Sequence, residues 1–256
     1  MLEKPSLLRR IWRSIFPVPI IPRTRQQRRR YFFTYLLLHF RPATLPEKTL
    51  KLSLTWGLGG MAVVLVVLQI GTGLLMKFVY EPSATGAYES VRALVAEVPF
   101  GMLVRNVHHW CANLLVLVVF LHLLRVFFTG GFHPPRQFNW IIGLTMFALV
   151  LLANLTGYLL PWDQLAFWAV TVSTGMLEYV PGIGLALQQA IRGGTEIGPA
   201  TLRLFFAAHT AVVPLLLVFL MAFHFWRIRK AGGLVIPRAA VDDPDPDPLR
   251  VPALPN

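Results

Sequence analysis

Of 256 residues, 55% are hydrophobic and only 14% are charged, whereas water-soluble domains carry about a quarter charged residues, which excludes an ordinary soluble fold for most of the chain. The net charge of +12 raises nucleic acid as a partner, but the charges lie beside apolar windows, a placement that suits anionic lipid and argues for no nucleic acid. The single cysteine, Cys111, excludes an internal disulfide and a cysteine-rich metal site.

In chain order, residues 1–51 hold 12 Lys or Arg against two Glu and read as a basic cytoplasmic-side extension. Pro17, Pro19 and Pro22 break any signal-peptide layout there. The ten uncharged residues Tyr31–Phe40 are too few to cross a bilayer and read as an amphipathic interfacial helix. Four long uncharged windows follow: Leu52–Met76 (25 residues), Asn106–Leu124 (19), Gln137–Trp162 (26) and Leu204–Trp226 (23). Each suffices to cross the hydrocarbon core, which needs about 20 residues at about 1.5 Å rise. Between the third and fourth, the runs Gln164–Leu177 and Tyr179–Ile191 have 14 and 13 residues, interrupted by Pro181, Gly182 and Gly184. They read as interfacial helices within one loop. The tail 231–256 alternates Asp and Pro from Asp243 to Pro248 and is expected to be disordered. The fold class expected is all-α transmembrane, with a four-span domain over residues 52–230.

Charge orients the spans. The loop between spans two and three holds Arg125 and Arg136 without an acid, and Arg227, Arg229 and Lys230 follow the fourth. Acids gather in the other two loops, at Glu81, Glu89 and Glu97 and at Asp163, Glu178 and Glu196. The positive-inside bias then places both termini on the cytoplasmic (n) side of a multi-pass protein, as in the inner (cytoplasmic) membrane of a bacterium.

The second span contains His108 and His122, and the fourth contains His209 and His224. Spacings of 14 and 15 residues leave each pair within about 40° and 60° of one helix face and about 21–22 Å apart. Both spans run inward from the outer (p) side, so His108 and His209 share one depth and His122 and His224 another. Paired imidazoles on facing helices suit a six-coordinate, low-spin haem iron that transfers electrons. The competing reading is four hydrogen-bonded core histidines. His39 and His133 lie outside the spans and His109 points about 100° away from His108, so none of the three is taken as a ligand.

Arg105 precedes His108 by three residues and Arg125 follows His122 by three, positions from which each is a partner for a haem propionate or a snorkelling marker of the span end. Gly59 and Gly73 in the first span, and Gly143 and Gly157 in the third, are 14 apart like the first histidine pair. They leave room for macrocycle edges or serve close helix packing.

These residues resemble the N-terminal, haem-binding half of cytochrome b of quinol-oxidising bc and chloroplast-type complexes, over about Leu52 to Gly232. The matching stretches are Leu68-Gln69-Ile70-Gly71-Thr72-Gly73, Arg105-Asn106-Val107-His108, His122-Leu123-Leu124-Arg125, Gly157-Tyr158-Leu159-Leu160-Pro161-Trp162-Asp163-Gln164, Ala208-His209-Thr210 and His224-Phe225-Trp226-Arg227-Ile228-Arg229-Lys230. The 15-residue spacing and the Pro-Trp-Asp-Gln are similar to the short, chloroplast-type branch. That branch stops after four helices, so the resemblance implies a separate subunit bearing Pro-Glu-Trp-Tyr.

The resemblance further implies two haem b groups with bis-histidine ligation, His108 and His209 on the p side, His122 and His224 on the n side. It implies quinol oxidation on the p side beside Tyr158, Pro161, Trp162, Phe167, Trp168 and Ala169, and quinone reduction on the n side beside Arg227, Arg229 and Lys230. For the aromatic residues the rival role is interfacial anchoring, and for Arg229 it is a positive-inside charge. Implied partners are a Rieske iron–sulfur protein, a c-type cytochrome, membrane lipid and a dimeric assembly, with electrons moving from quinol to quinone in a Q cycle and protons translocated. The chloroplast-type protein carries a Cys where Gly57 stands here, so a covalent n-side c-type haem is expected to be absent. Two other classes compete: a di-haem membrane anchor of a dehydrogenase or hydrogenase, which leaves Gly157 to Gln164 unexplained, and a haem-free transporter or scaffold whose histidines relay protons.

Overall fold

The computed structural model describes residues 6–8, 11–12, 24–25, 44–46, 52–231, 233–235 and 250–252. Helices α1 (Leu52–Thr55), α2 (Leu58–Lys77), α3 (Ala87–Ala96), α4 (Gly101–Phe128) and α5 (Gln137–Leu159) lead into α6 (Gln164–Gly175), α7 (Gly184–Arg192), α8 (Pro199–Ala207) and α9 (Val213–Lys230). Among the described residues, four stretches are long and apolar enough to span a bilayer: Leu58–Lys77, Gly101–Phe128, Gln137–Leu159 and Pro199–Lys230. The all-α transmembrane architecture expected from the sequence therefore holds, and the spans present exposed apolar side chains such as Val64, Leu117, Leu151 and Leu215.

The span limits differ from the charge-free windows for physical reasons. The first span starts at Leu58, not Leu52, because Trp56 and Gly57 take left-handed φ angles of 49° and 65° and interrupt the helix. The second and fourth reach past the windows, since a helix needs no apolar side chains at its wet ends. The third stops at Leu159, where Trp162 turns the chain at φ 55°. The fourth begins with Pro199 behind Gly198, proline being suited to a first helical turn whose N–H groups lack partners. It then passes through a wide, i→i+5 turn over Ala208–Val212 that continues into α9.

Two short helices, α6 and α7, form in the third loop where two were expected, with a 3₁₀ turn at Met176–Tyr179 between them. Asp163 starts α6: its backbone is extended and its Oδ1 accepts from the Ala166 N–H at 2.8 Å, the N-capping geometry that such a residue supplies. Gly193, at φ 73°, ends α7. Helix α3, in the first loop, was not anticipated from the sequence. Thr44–Pro46 (β1) pairs antiparallel with Arg250–Pro252 (β2), so three residues of the tail have paired backbone. The amphipathic run Tyr31–Phe40 and most of the tail lie outside the described residues.

The chain divides into two compact units, one of Met1–Gly59, Phe120–Thr145 and Leu220–Asn256, the other of Gly60–Val119 and Met146–Phe219. The second contains His108 and His209, and the first contains His122 and His224. In the second unit an apolar cluster of Leu159, Ala166, Val170 and Phe205 is joined by Trp162, Ile191 and Ile197. Arg192 ties the loop together: its Nε donates to Thr174 Oγ1 at 2.8 Å, and its own carbonyl accepts from Thr201 Oγ1 at 2.7 Å.

Candidate haem-ligand sites

In the unit that holds His108 and His209, the two imidazoles face each other from α4 and the wide turn, with ring centroids 6.1 Å apart and planes at 72°. A metal–imidazole bond is about 2.0–2.1 Å and a ring centroid lies about 1.1 Å from its nitrogen, so two imidazoles on opposite sides of one metal ion stand about 6.3 Å apart. The observed separation fits.

The hydrogen bonds set which ring nitrogen carries the proton. Thr72 Oγ1 lies 2.9 Å from His108 Nδ1 and spends its own hydrogen on the Leu68 carbonyl at 2.6 Å, so it accepts from Nδ1–H. His209 Nδ1 donates to the Ala153 carbonyl at 3.0 Å. Both rings therefore keep the lone pair on Nε2, the arrangement in which an outer partner orients a metal-bound histidine. Gln69 adds a bond from its Nε2 to the His108 carbonyl at 2.7 Å.

Each of the four glycines singled out from the sequence faces one of the four histidines. A Cβ built on Gly73 would lie 3.2 Å from His108 Cε1, and one on Gly157 would lie 2.6 Å from His209 Cε1. In the other unit the corresponding distances are 3.4 Å from Gly59 to His122 and 3.9 Å from Gly143 to His224. A side chain at these positions would meet the imidazole, severely at Gly157 and only in ordinary contact at Gly143. Among the described residues no group of three or more His, Cys, Asp or Glu is arranged to hold a metal ion.

The basic residues divide by role. Arg105 is exposed. Arg125 donates from Nε to the Leu54 carbonyl at 3.0 Å and from a terminal nitrogen to the Val235 carbonyl at 3.1 Å. Arg136, the other base of the loop between spans two and three, donates to the Gly233 and Ala231 carbonyls at 2.7 and 3.0 Å. Burial, and after it the charge of Arg125, holds its guanidinium below the usual arginine range. Arg227 is 1% exposed, with its guanidinium 5.6 Å from the Phe138 ring centroid, which makes it a packed residue. Arg229 and Lys230 are half-buried, with Lys230 Nζ 5.9 Å from the Trp226 ring centroid.

Of the residues expected at the p-side pocket, Trp162 packs against the Leu159 cluster. Pro161 and Ala169 are half-buried, whereas Tyr158, Phe167 and Trp168 are exposed, Trp168 by 59%. Phe167 and Trp168 meet edge to face at 5.3 Å. Tyr80, absent from the sequence reading, donates its hydroxyl to the Leu160 carbonyl at 2.7 Å and stacks on Phe206. It braces the turn from which Pro161 and Trp162 leave. Only the tyrosine's place at the end of an apolar window hinted at this; Thr72 and Gln69 gave the hint of being polar within a span.

These geometries define a membrane-spanning helical protein with paired histidines. The family model described as Cytochrome b/b6/petB matches residues 45–232. Two curated relatives, cytochrome b6 of Acaryochloris marina (strain MBIC 11017) and cytochrome b6 of Mastigocladus laminosus, are each 42% identical over 175 residues, covering 68% of this chain and 81% of the relative. A solved chain of a hyperthermophilic respiratory Complex III is similar in fold, with a TM-score of 0.70 at 28% identity over 87% of this chain. This chain spans 58% of that one's length. The chain belongs to the cytochrome b family. Membership brings haem b as the cofactor, and four apolar spans make the chain an integral membrane protein.

Proposed function

We propose that this chain is the di-haem cytochrome b subunit of a bc-type quinol-oxidising complex, with His108 and His209 holding one haem b and His122 and His224 the other. The observation that carries the reading is the 6.1 Å separation of the His108 and His209 rings, with both Nδ1–H groups engaged. Bound haem would supply reversible one-electron chemistry. The chain's own residues hold and orient it: Thr72 and Ala153 fix the imidazole tautomers, and the glycines admit the rings. On the p side, the exposed Phe167 and Trp168 offer an apolar wall for a quinol ring, with Tyr80 bracing the adjoining turn. On the n side Arg229 and Lys230 supply positive charge for a quinone or a propionate, in a membrane whose cytoplasmic face holds both termini.

In this reading electrons pass from p-side quinol to n-side quinone while protons are released outside and taken up inside. The partners are a Pro-Glu-Trp-Tyr-bearing subunit, a Rieske protein and a c-type cytochrome, in a dimeric complex. Gly57 offers no thiol for a covalent third haem. A reduced-minus-oxidised spectrum with a redox titration tests the proposal: two b-type steps are expected, and His108→Leu and His224→Leu should each remove one. Unchanged pigment in either variant refutes the ligand assignment. Co-purification of a Rieske protein separates this reading from a dehydrogenase anchor.

A further inference from the structure

The two histidine pairs do not match in sequence count. His108 and His122 are 14 apart in α4, as are Gly59 and Gly73, and Gly143 and Gly157 in α5, but His209 and His224 are 15 apart. In a regular α-helix the extra residue turns everything beyond it by about 100° and shifts it by about 1.5 Å. Nevertheless His209 meets Gly157 and His224 meets Gly143, glycines that are 14 apart.

The irregularity lies in the interval itself. Ala208–Val212 forms a wide turn, closed by the Val213 N–H donating to the Ala208 carbonyl. An i→i+5 turn takes up one residue more than an i→i+4 turn. Proline follows at once: Pro214 has no N–H, and its ring would press on the Thr210 carbonyl in a regular helix. Widening the preceding turn moves that carbonyl aside. Within the turn, Thr210 Oγ1 donates to the Phe206 carbonyl at 2.8 Å, and His209 is pinned from α5 by Ala153.

We propose that Pro214 is a positioning residue: it maintains a wide turn that absorbs the extra residue of the fourth span and so keeps His209 and His224 both in ligand register. The proposal rests on the haem assignment above.

Two deletions in the full complex test it. Val212 and Leu216 are both exposed, at 53% and 46%, so their removal costs similar packing. Deleting Val212 together with Pro214→Ala creates a regular helix with a 14-residue spacing, and should leave two b haems per chain with midpoint potentials close to the parent's. Deleting Leu216 with Pro214 kept retains the wide turn but removes a residue from the regular part. This should halve the haem content and leave one potential step. Loss of a haem in the first variant, or retention of both in the second, overturns the proposal. A parent complex with fewer than two b haems per chain overturns the ligand assignment instead.

Discussion

Gly157 approaches His209 so closely that a Cβ on its backbone would lie 2.6 Å from the imidazole Cε1, while the equivalent distance from Gly143 to His224 is 3.9 Å. The first is a distance that real Cβ atoms do not occupy, and the second is ordinary contact. The His209 ring has little freedom to retreat, because its Nδ1 is bonded to Ala153 in the same helix as Gly157.

Gly157→Ala is therefore expected to displace His209 and halve the haem content, whereas Gly143→Ala should keep both haems and shift stability by less than about 1 kcal/mol, with alanine favoured over glycine in a helix. Haem per polypeptide in the purified complex checks both. Equal losses in the two variants would show that the unequal clearances have no consequence.

Thr72 accepts the Nδ1 proton of His108, and such an acceptor raises the electron density of the ring. Thr72→Val removes it without changing the side-chain shape. The midpoint potential of one b haem should rise, on the order of 20–60 mV for a hydrogen bond worth about 1 kcal/mol, and the other should stay. A redox titration that finds both steps unmoved would mean that the contact does not tune the site.

Tyr80 lies outside the spans, and burial raises its phenol above the ordinary value of 10.0. Because the folded value is the higher one, its contribution to stability is fully present below about pH 10 and is lost as pH climbs towards the raised value. Tyr80→Phe should lower the thermal midpoint of the complex at neutral pH through loss of the bond to Leu160 and should flatten its alkaline decline. Parallel midpoint curves for the two proteins would contradict this.

Four spans, two short helices in the third loop and the His108–His209 approach were legible in the amino-acid order, because bilayer partitioning depends on local composition and helix periodicity sets which residues share a face. The glycines at Gly59, Gly73, Gly143 and Gly157 were legible as positions but not as imidazole contacts, since spacing says where a gap is and not what enters it. The tertiary structure alone decided that Thr72 reaches His108, that Tyr80 bonds to Leu160 80 positions away, that Trp162 packs against the Leu159 cluster and that Arg227 lies over the Phe138 ring. It also decided that the first span breaks at Trp56–Gly57 and that the fourth widens before Pro214. These are relations through space, or departures from regular helix geometry, that apolar windows and residue spacings leave open. Helix periodicity supplied the helix faces, and the tertiary structure alone showed the wide turn at Ala208–Val212 beside His209.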